Sequence, residues 1–418
     1  MMAYKRTWKS PMVDKRHSVS ALGFMLLLLL LAPLCSVAAT EVPSDVFLSE
    51  FYRAQGGYGQ PGKVLKVEPL SEKQQLAEAG ESLRVLYTST EGLWEEDLVA
   101  VSGVLYLPKG EAPASGWPLV SWSHGTVGIN DRCAPSWNGR QAQDENYLNE
   151  FLVRGFAVVA SDYQGLGTLG LHPYLATRPA AYSNLDLIRA VQNSNFPLAE
   201  QVLLLGQSQG ASAAISTASL APDYAPGINV VGVVATGAPY FTPATMKNLD
   251  RLRRLDQPDP LLGYTFLGMI LAEHLDPAFE RGDFIADVAW GLAEDAQNLC
   301  YRELKLKVVE VNLMRGEVFK KNPIVGLEDA FTRMSYPHLA INVPVFLGTG
   351  QLDRDTPYRM QAKLVQDMCA ANTVVHWQVY PDLDHRGVVL PSLADSLPFV
   401  RQVFAGDTVA SRCPIAPE

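Results

Sequence analysis

Val202-Leu-Leu-Leu-Gly206-Gln207-Ser208-Gln209-Gly210-Ala-Ser-Ala-Ala214 lies near the middle of a chain of 418 residues. Its leucine-rich start reads as a strand buried on both faces, and the small residues after Gly210 read as the first turns of a tightly packed helix. Between them stands Gly-x-Ser-x-Gly. A strand that runs into a helix through so short a turn crowds its own backbone, and only glycine fits where the crowding falls. The turn lifts the Ser208 hydroxyl above the sheet, and the helix N-terminus behind it favours negative charge developing there. The five-residue pattern alone occurs by chance in many proteins. The strand before it and the helix after it give it weight.

Working outward, further short apolar runs read as strands: Leu98–Leu107, Leu119–Trp122, Ala157–Ser161, Val230–Ala235, Val345–Leu347 and Val374–Tyr380. Helix-like segments alternate with them at Ala142–Val153, Ser183–Val191, Ala211–Leu220, Tyr358–Met368 and Leu393–Phe404. Strand and helix in alternation predict an α/β sheet covered on both sides. The rhythm breaks between about Phe241 and Pro337, where helical patterns such as Met246–Leu255, Tyr264–His274 and Val325–Met334 replace strands. So long a stretch is not a structureless loop. It is expected to be a helical cap or lid over the sheet, although a plain extension of the core has the same pattern. Residues 41–80 offer only a polar helix-like segment, Ser71–Ala79, and are expected to wrap the core.

Apolar residues make up 48% of the chain and charged residues 19%, enough to fill a large core. The formal net charge is −10. Residues 1–39 hold five basic side chains and one acidic, so the remainder is more acidic still. Such a surface repels phosphate backbones and argues against nucleic acid as a partner. The basic start runs into an apolar segment, 21–34, and then into Val37-Ala38-Ala39. This describes a secretory signal peptide over residues 1–39, followed by one α/β domain over 40–418 in the periplasm or outside the cell. An uncleaved membrane anchor is the alternative, but the run is shorter than a spanning helix needs. Cleavage there leaves Cys133, Cys300, Cys369 and Cys413. An even number in an exported chain suggests two disulfides, with three pairings open. None has Cys-x-x-Cys spacing, so a metal site has no support.

A serine hydroxyl needs a base to take its proton and a carboxylate to orient that base. His385 alone among the seven histidines follows a late strand in a turn-like segment, Tyr380-Pro-Asp-Leu-Asp-His-Arg-Gly387. His376 falls inside a strand and reads as a packing residue. Asp353 and Asp355 both follow the strand at 345–347, and Asp353 comes first. Asp355 then reads as a helix cap or a solvated turn residue. Asp382 and Asp384 read as exposed. Ser123-His124-Gly125-Thr126 follows the strand at 119–122 and offers backbone N–H groups. Thr126 and Gln209 are the expected donors of an oxyanion hole.

Taken together, His124-Gly-Thr126, Ser161-Asp-Tyr-Gln-Gly-Leu-Gly167, the Gly206–Gly210 turn and the Asp353 and His385 loops resemble the secretory lipase family of fungi and bacteria. The segment Asp162–Gly167 is the most particular of these, and the likeness runs from about residue 45 to the C-terminus. The resemblance implies an α/β-hydrolase fold, hydrolysis of carboxylic esters, a helical cap between late sheet strands and no cofactor. It also implies the pairs Cys133–Cys300 and Cys369–Cys413. The implied partner is a small-molecule or lipid ester, with transient contact at a lipid interface. Segment Leu261–Leu271 suits either such an interface or a buried cap core.

A peptidase or amidase on the same fold would share the triad. It would need acidic residues in the cap to hold a substrate amine, and Glu273, Asp283 and Glu294 are the candidates. A non-catalytic binding protein would be expected to carry a degenerate triad, and this one is intact in sequence.

Overall fold

Among the described residues, nine strands form one sheet: β1 Val64–Pro69, β2 Ala79–Thr90, β3 Leu98–Pro108, β4 Trp117–Ser123, β5 Ala157–Ser161, β6 Leu198–Gln207, β7 Asn229–Thr236, β8 Val345–Gly350 and β9 Val375–Tyr380. Their spatial order is β1-β2-β3-β5-β4-β6-β7-β8-β9. The six strands β4 to β9 run parallel, and β1 to β3 extend the sheet antiparallel from β5. The computed structural model describes residues 42–413 apart from 55, 57, 96 and 253. The signal peptide expected over 1–39 lies outside the described residues.

The helices are α1 Pro135–Asn138, α2 Ala142–Leu152, α3 Thr177–Gln192, α4 Gln209–Tyr224, α5 Pro243–Leu252, α6 Leu262–Leu275, α7 Asp287–Asn298, α8 Tyr301–Val311, α9 Arg315–Val318, α10 Glu328–Met334, α11 Tyr358–Ala370 and α12 Leu393–Ala405. Period-two geometry explains why the central strands read as unbroken apolar runs. Val202 and Leu204 of β6 join one core with Leu187 and Ile188 of α3, Ile215 of α4 and Leu364 of α11. Leu203 and Leu205 join a second core on the other face, with Leu148 and Phe151 of α2 and Phe399 and Val400 of α12. Both faces of each strand are covered, so neither can be polar.

Two readings of the sequence need correction. Residues 71–79 do not form a helix. Only a single 3-10 turn, Glu72–Gln74, precedes β2, and Ala79 already belongs to that strand. Residues 64–69, read as featureless wrapping, are the edge strand β1, half-exposed and broken by Lys66 and Glu68. An edge strand with one wet face lacks the continuous apolar run by which the others announce themselves.

Helices α5 to α10 follow β7 and precede β8, and they have a core of their own. Phe266, Leu267, Met269 and Leu271 of α6 are fully or nearly fully buried against Ala289 and Ala293 of α7, Leu304 of α8 and Ala330 of α10. Segment Leu261–Leu271 is therefore core, as expected of a helix that is apolar on all sides. Arg315 and Asp259 form an ion pair of 3.0 Å inside the same insertion. Cys133 is bonded to Cys300, which caps α8, and Cys369 at the end of α11 is bonded to Cys413. Beside the first bridge, the Tyr301 N–H donates to the Val127 carbonyl at 2.7 Å.

Candidate active site

Ser208 stands between β6 and α4 with φ 59° and ψ −122°, a conformation costly for any residue with a side chain. Its N–H donates to the Thr236 carbonyl of β7, which helps hold the turn. The two glycines are required by contact. A Cβ on Gly206 would lie 2.0 Å from the Gly210 carbonyl oxygen, and one on Gly210 would lie 1.8 Å from that of Ser123. No rotamer change relieves a clash between backbones.

His385, in the loop after β9, is buried, and its Nδ1 lies 2.8 Å from Oδ2 of buried Asp353. Asp353 accepts further bonds from the N–H groups of Asp355 and Thr356, the Thr356 hydroxyl and the Gln361 amide. A carboxylate ringed by donors holds the imidazole with its proton on Nδ1. Nε2 is left as the acceptor, and it is buried with no hydrogen-bond partner among the described residues. Gln207 steadies the loop from the other side, its amide donating to the His385 carbonyl at 3.3 Å.

Asp355 faces elsewhere. Its Oδ2 accepts from the Tyr264 hydroxyl of α6 at 2.8 Å, linking the loop after β8 to the cap. Asp382 and Asp384 are exposed, and Asp384 accepts the Gly387 N–H in a local turn. His376 is half-buried in β9 against the ring of Phe346.

Thr126 lies beside the elbow, its hydroxyl hydrogen bonded to that of Tyr174 at 2.9 Å. Gly125 is so close that a Cβ there would sit 2.8 Å from Oε1 of Gln207. The segment Asp162–Gly167 supports this loop from beneath. The Tyr163 ring stacks on His124 at 4.2 Å, and its hydroxyl donates to the His124 carbonyl. Asp162 is completely buried, accepting from Ser102 and from the Ser136 N–H and hydroxyl, while burial pushes its carboxyl above the ordinary range.

His172 carries no signal of a role in the sequence. Its Nδ1–H donates to the Gln164 carbonyl at 2.9 Å, which leaves Nε2 to accept from the Gln209 amide at 3.2 Å. Burial lowers its pKa to about 4, so the ring is neutral at pH 7. It thus holds the residue that follows the nucleophile. Thr356, Gln361, Gln207 and Gly237 were missed as well. Gln361, Gln207 and Gly237 act through tertiary contacts that leave no local pattern, and Thr356 reaches Asp353 from three residues away.

Ser208, His385, Gly125 and Thr126 line one cavity of about 750 Å³, with Tyr264, Tyr301, Arg302 and Lys305 of the cap on its far wall. Tyr264 also borders a small apolar pocket of about 70 Å³ beneath the cap, lined among others by Tyr174, Phe241, Phe331 and Met334. Glu273, Asp283 and Glu294 do not line the cavity. They pair with Arg281 and Lys321. Among the described residues no group of three or more His, Cys, Asp or Glu side chains is placed to hold a metal ion.

A mostly parallel sheet in this order, with a serine at the β6–α4 elbow, defines an α/β-hydrolase. Within that class the resemblance to the secretory lipases holds: residues 136–252 match the model of the secretory lipase family. Lipase A of Moesziomyces aphidis is 25% identical over 407 residues, covering 90% of this chain and 83% of its own. A secreted triacylglycerol lipase of Malassezia furfur is also 25% identical, covering 85% and 74%. The crystal structure of Candida antarctica lipase A shares the fold with a TM-score of 0.70 at 22% identity, over 90% of this chain and 89% of that one.

Proposed function

We propose that this chain is an exported carboxylic ester hydrolase with Ser208 as nucleophile, His385 as general base and Asp353 as the orienting acid. The observation that carries the reading is the 2.8 Å contact between His385 Nδ1 and Asp353 in a cavity wall shared with Ser208. The Ser208 oxygen attacks the ester carbonyl while its proton passes to Nε2 of His385. The N–H groups of Gln209 and Thr126 receive the negative oxygen of the tetrahedral intermediate. His385 then gives its proton to the leaving alcohol. Water, deprotonated by the same nitrogen, cleaves the acyl-enzyme and restores Ser208.

The acyl chain is assigned to the small apolar pocket beside Tyr264, and helices α5 to α10 serve as its lid. Two disulfides and relatives named as secreted support a place outside the cytoplasm, in keeping with a signal peptide over 1–39. Esters are preferred to peptides because the acidic side chains of the cap are paired with cap cations and stand away from the cavity.

The test is hydrolysis of p-nitrophenyl esters from acetyl to palmitoyl, with and without emulsified triglyceride, by the wild type and by Ser208→Ala. The variant is expected to fold and to lose turnover by about 10⁴-fold or more. Turnover like the wild type would sink the mechanism. Activity that rises on long chains at the interface makes the cap a mobile lid, and activity confined to short soluble esters makes it a fixed wall.

A further inference from the structure

The cavity over Ser208 has a charge opposite to that of the chain. Arg140, Arg302, Lys305 and Arg386 line it, against the carboxyls of Asp144 and Asp355 alone, in a protein whose net charge is −10. None of the four cations has an ion-pair partner among the described residues, although most other cations of the cap do. Asp355 is engaged by Tyr264, and Asp144 lies in the field of both Arg140 and Arg386.

Arg140 is the most telling of the four. All three of its guanidinium nitrogens are buried, and among the described residues the Tyr106 hydroxyl beside them is neutral and no carboxylate pairs with them. Buried Asp162 is near enough to feel its charge, but both oxygens of that carboxyl are already taken by Ser102 and Ser136. A buried guanidinium without a charged partner is costly, and an anion in the adjoining cavity offsets that cost through its field. Arg302 and Arg386 are exposed at the rim, and Arg386 is held there by Gln143, which accepts from Nε at 3.0 Å. Cations around a low-dielectric cavity raise the local concentration of an anionic substrate and orient it on entry.

We propose that the cavity takes esters whose alcohol portion carries an anionic group, a carboxylate or a phosphate, held by Arg302, Lys305 and Arg386 in the field of Arg140. This rests on the ester-hydrolase reading of the same site. The alcohol side follows from the apolar pocket, which suits an uncharged acyl chain and leaves the cationic wall to the leaving group.

The experiment compares kcat/KM for the acetate ester of phloretic acid with that of its primary amide, phloretamide. The two share one phenol leaving group and differ in a remote charge. A second pair, phenyl hydrogen adipate and phenyl adipamate, puts the charge on the acyl side. The acid is expected to exceed the amide by about fivefold or more in the first pair only, at low salt, and the excess should shrink as salt rises. In Arg302→Gln/Lys305→Gln, checked for folding by its melting temperature, the acid-to-amide ratio should fall toward one through a raised KM for the acid. A ratio of one in the wild type, a ratio unchanged in the variant, or a preference found only in the adipate pair overturns the proposal. Hydrolysis of the neutral phloretamide ester with no preference for the acid sinks this inference alone. No hydrolysis of any of the four sinks the ester reading beneath it.

Discussion

A Cβ built on Gly237 would lie 2.9 Å from both Cε1 and Nδ1 of His385, and Gly237 has φ +61°. The end of β7 therefore forms the wall against which the imidazole rests. Gly237→Ala should push the ring off Asp353 and out of line with Ser208. The expected loss in kcat/KM is about 100-fold, because displacements near 1 Å cost that much, with a folding cost of about 1–2 kcal/mol from the left-handed backbone. Ester hydrolysis beside a thermal melt separates the two effects. An alanine variant with normal kcat would show that the ring has room to spare.

The two aspartates after β8 should separate cleanly. Asp353→Asn keeps the shape but offers an amide where the imidazole needs an acceptor, and should lower kcat by about 10⁴-fold. Asp355→Asn touches only the contact with Tyr264, and should cost less than about tenfold. Side-by-side kcat values decide, and equal losses would reassign the acid.

His172 supplies a test with a pH signature. Its pKa is about 4 when folded, against about 6.5 for an exposed histidine. Between these values the unfolded chain binds the extra proton, so stability rises with pH across the window and is lost as pH falls from 6.5 toward 4. His172→Gln should flatten the dependence of unfolding free energy on pH by about 1.4 kcal/mol per pH unit in that window. It should also lower kcat by loosening Gln209. Urea unfolding at several pH values, with kcat measured at pH 8, checks both, and parallel stability curves for variant and wild type would count against a neutral, buried His172.

The two disulfides should contribute unequally. Cys133–Cys300 closes 167 residues and Cys369–Cys413 closes 44. Chain entropy assigns about 5 kcal/mol to the longer loop and about 4 kcal/mol to the shorter. Paired serine variants, compared by denaturant midpoint, should show the Cys133–Cys300 loss as the larger. It should also be the one that impairs turnover, since that bridge joins the cap to the loop bearing Thr126.

Which parts of this molecule a sequence reveals follows from where the constraint lies. Ser208 stands out because its turn forces glycine at 206 and 210 within five residues of chain. His385 and Asp353 stand out because each follows a parallel strand, where loops from one sheet edge converge. The apolar runs of β4 to β9 are equally plain, being covered on both faces. β1 is not, because one of its faces is wet, and α7 and α8 mix apolar with charged positions in short segments. His172, Thr356, Gln361 and Gly237 stayed hidden for a different reason. Three of them meet their partners across 8 to 148 positions of sequence, in the bonds between Gln361 and Asp353 and between His172 and Gln209, and in the approach of Gly237 to His385, while Thr356, three residues from Asp353 in the chain, also reaches the Gly237 carbonyl 119 positions away.

The bridge at Cys300, with the Tyr301–Val127 bond next to it, ties the insertion down partway along its length. One excursion from the sheet is thereby turned into two. The first, carrying α5 to α7, runs from β7 to the tether, and the second, carrying α8 to α10, runs from the tether to β8. The two excursions nonetheless share one core, and the apolar pocket takes Tyr264 from the first and Phe331 and Met334 from the second. Neither can be lengthened or exchanged without repacking the other, so the apolar pocket and the charged wall on α8 are inherited together.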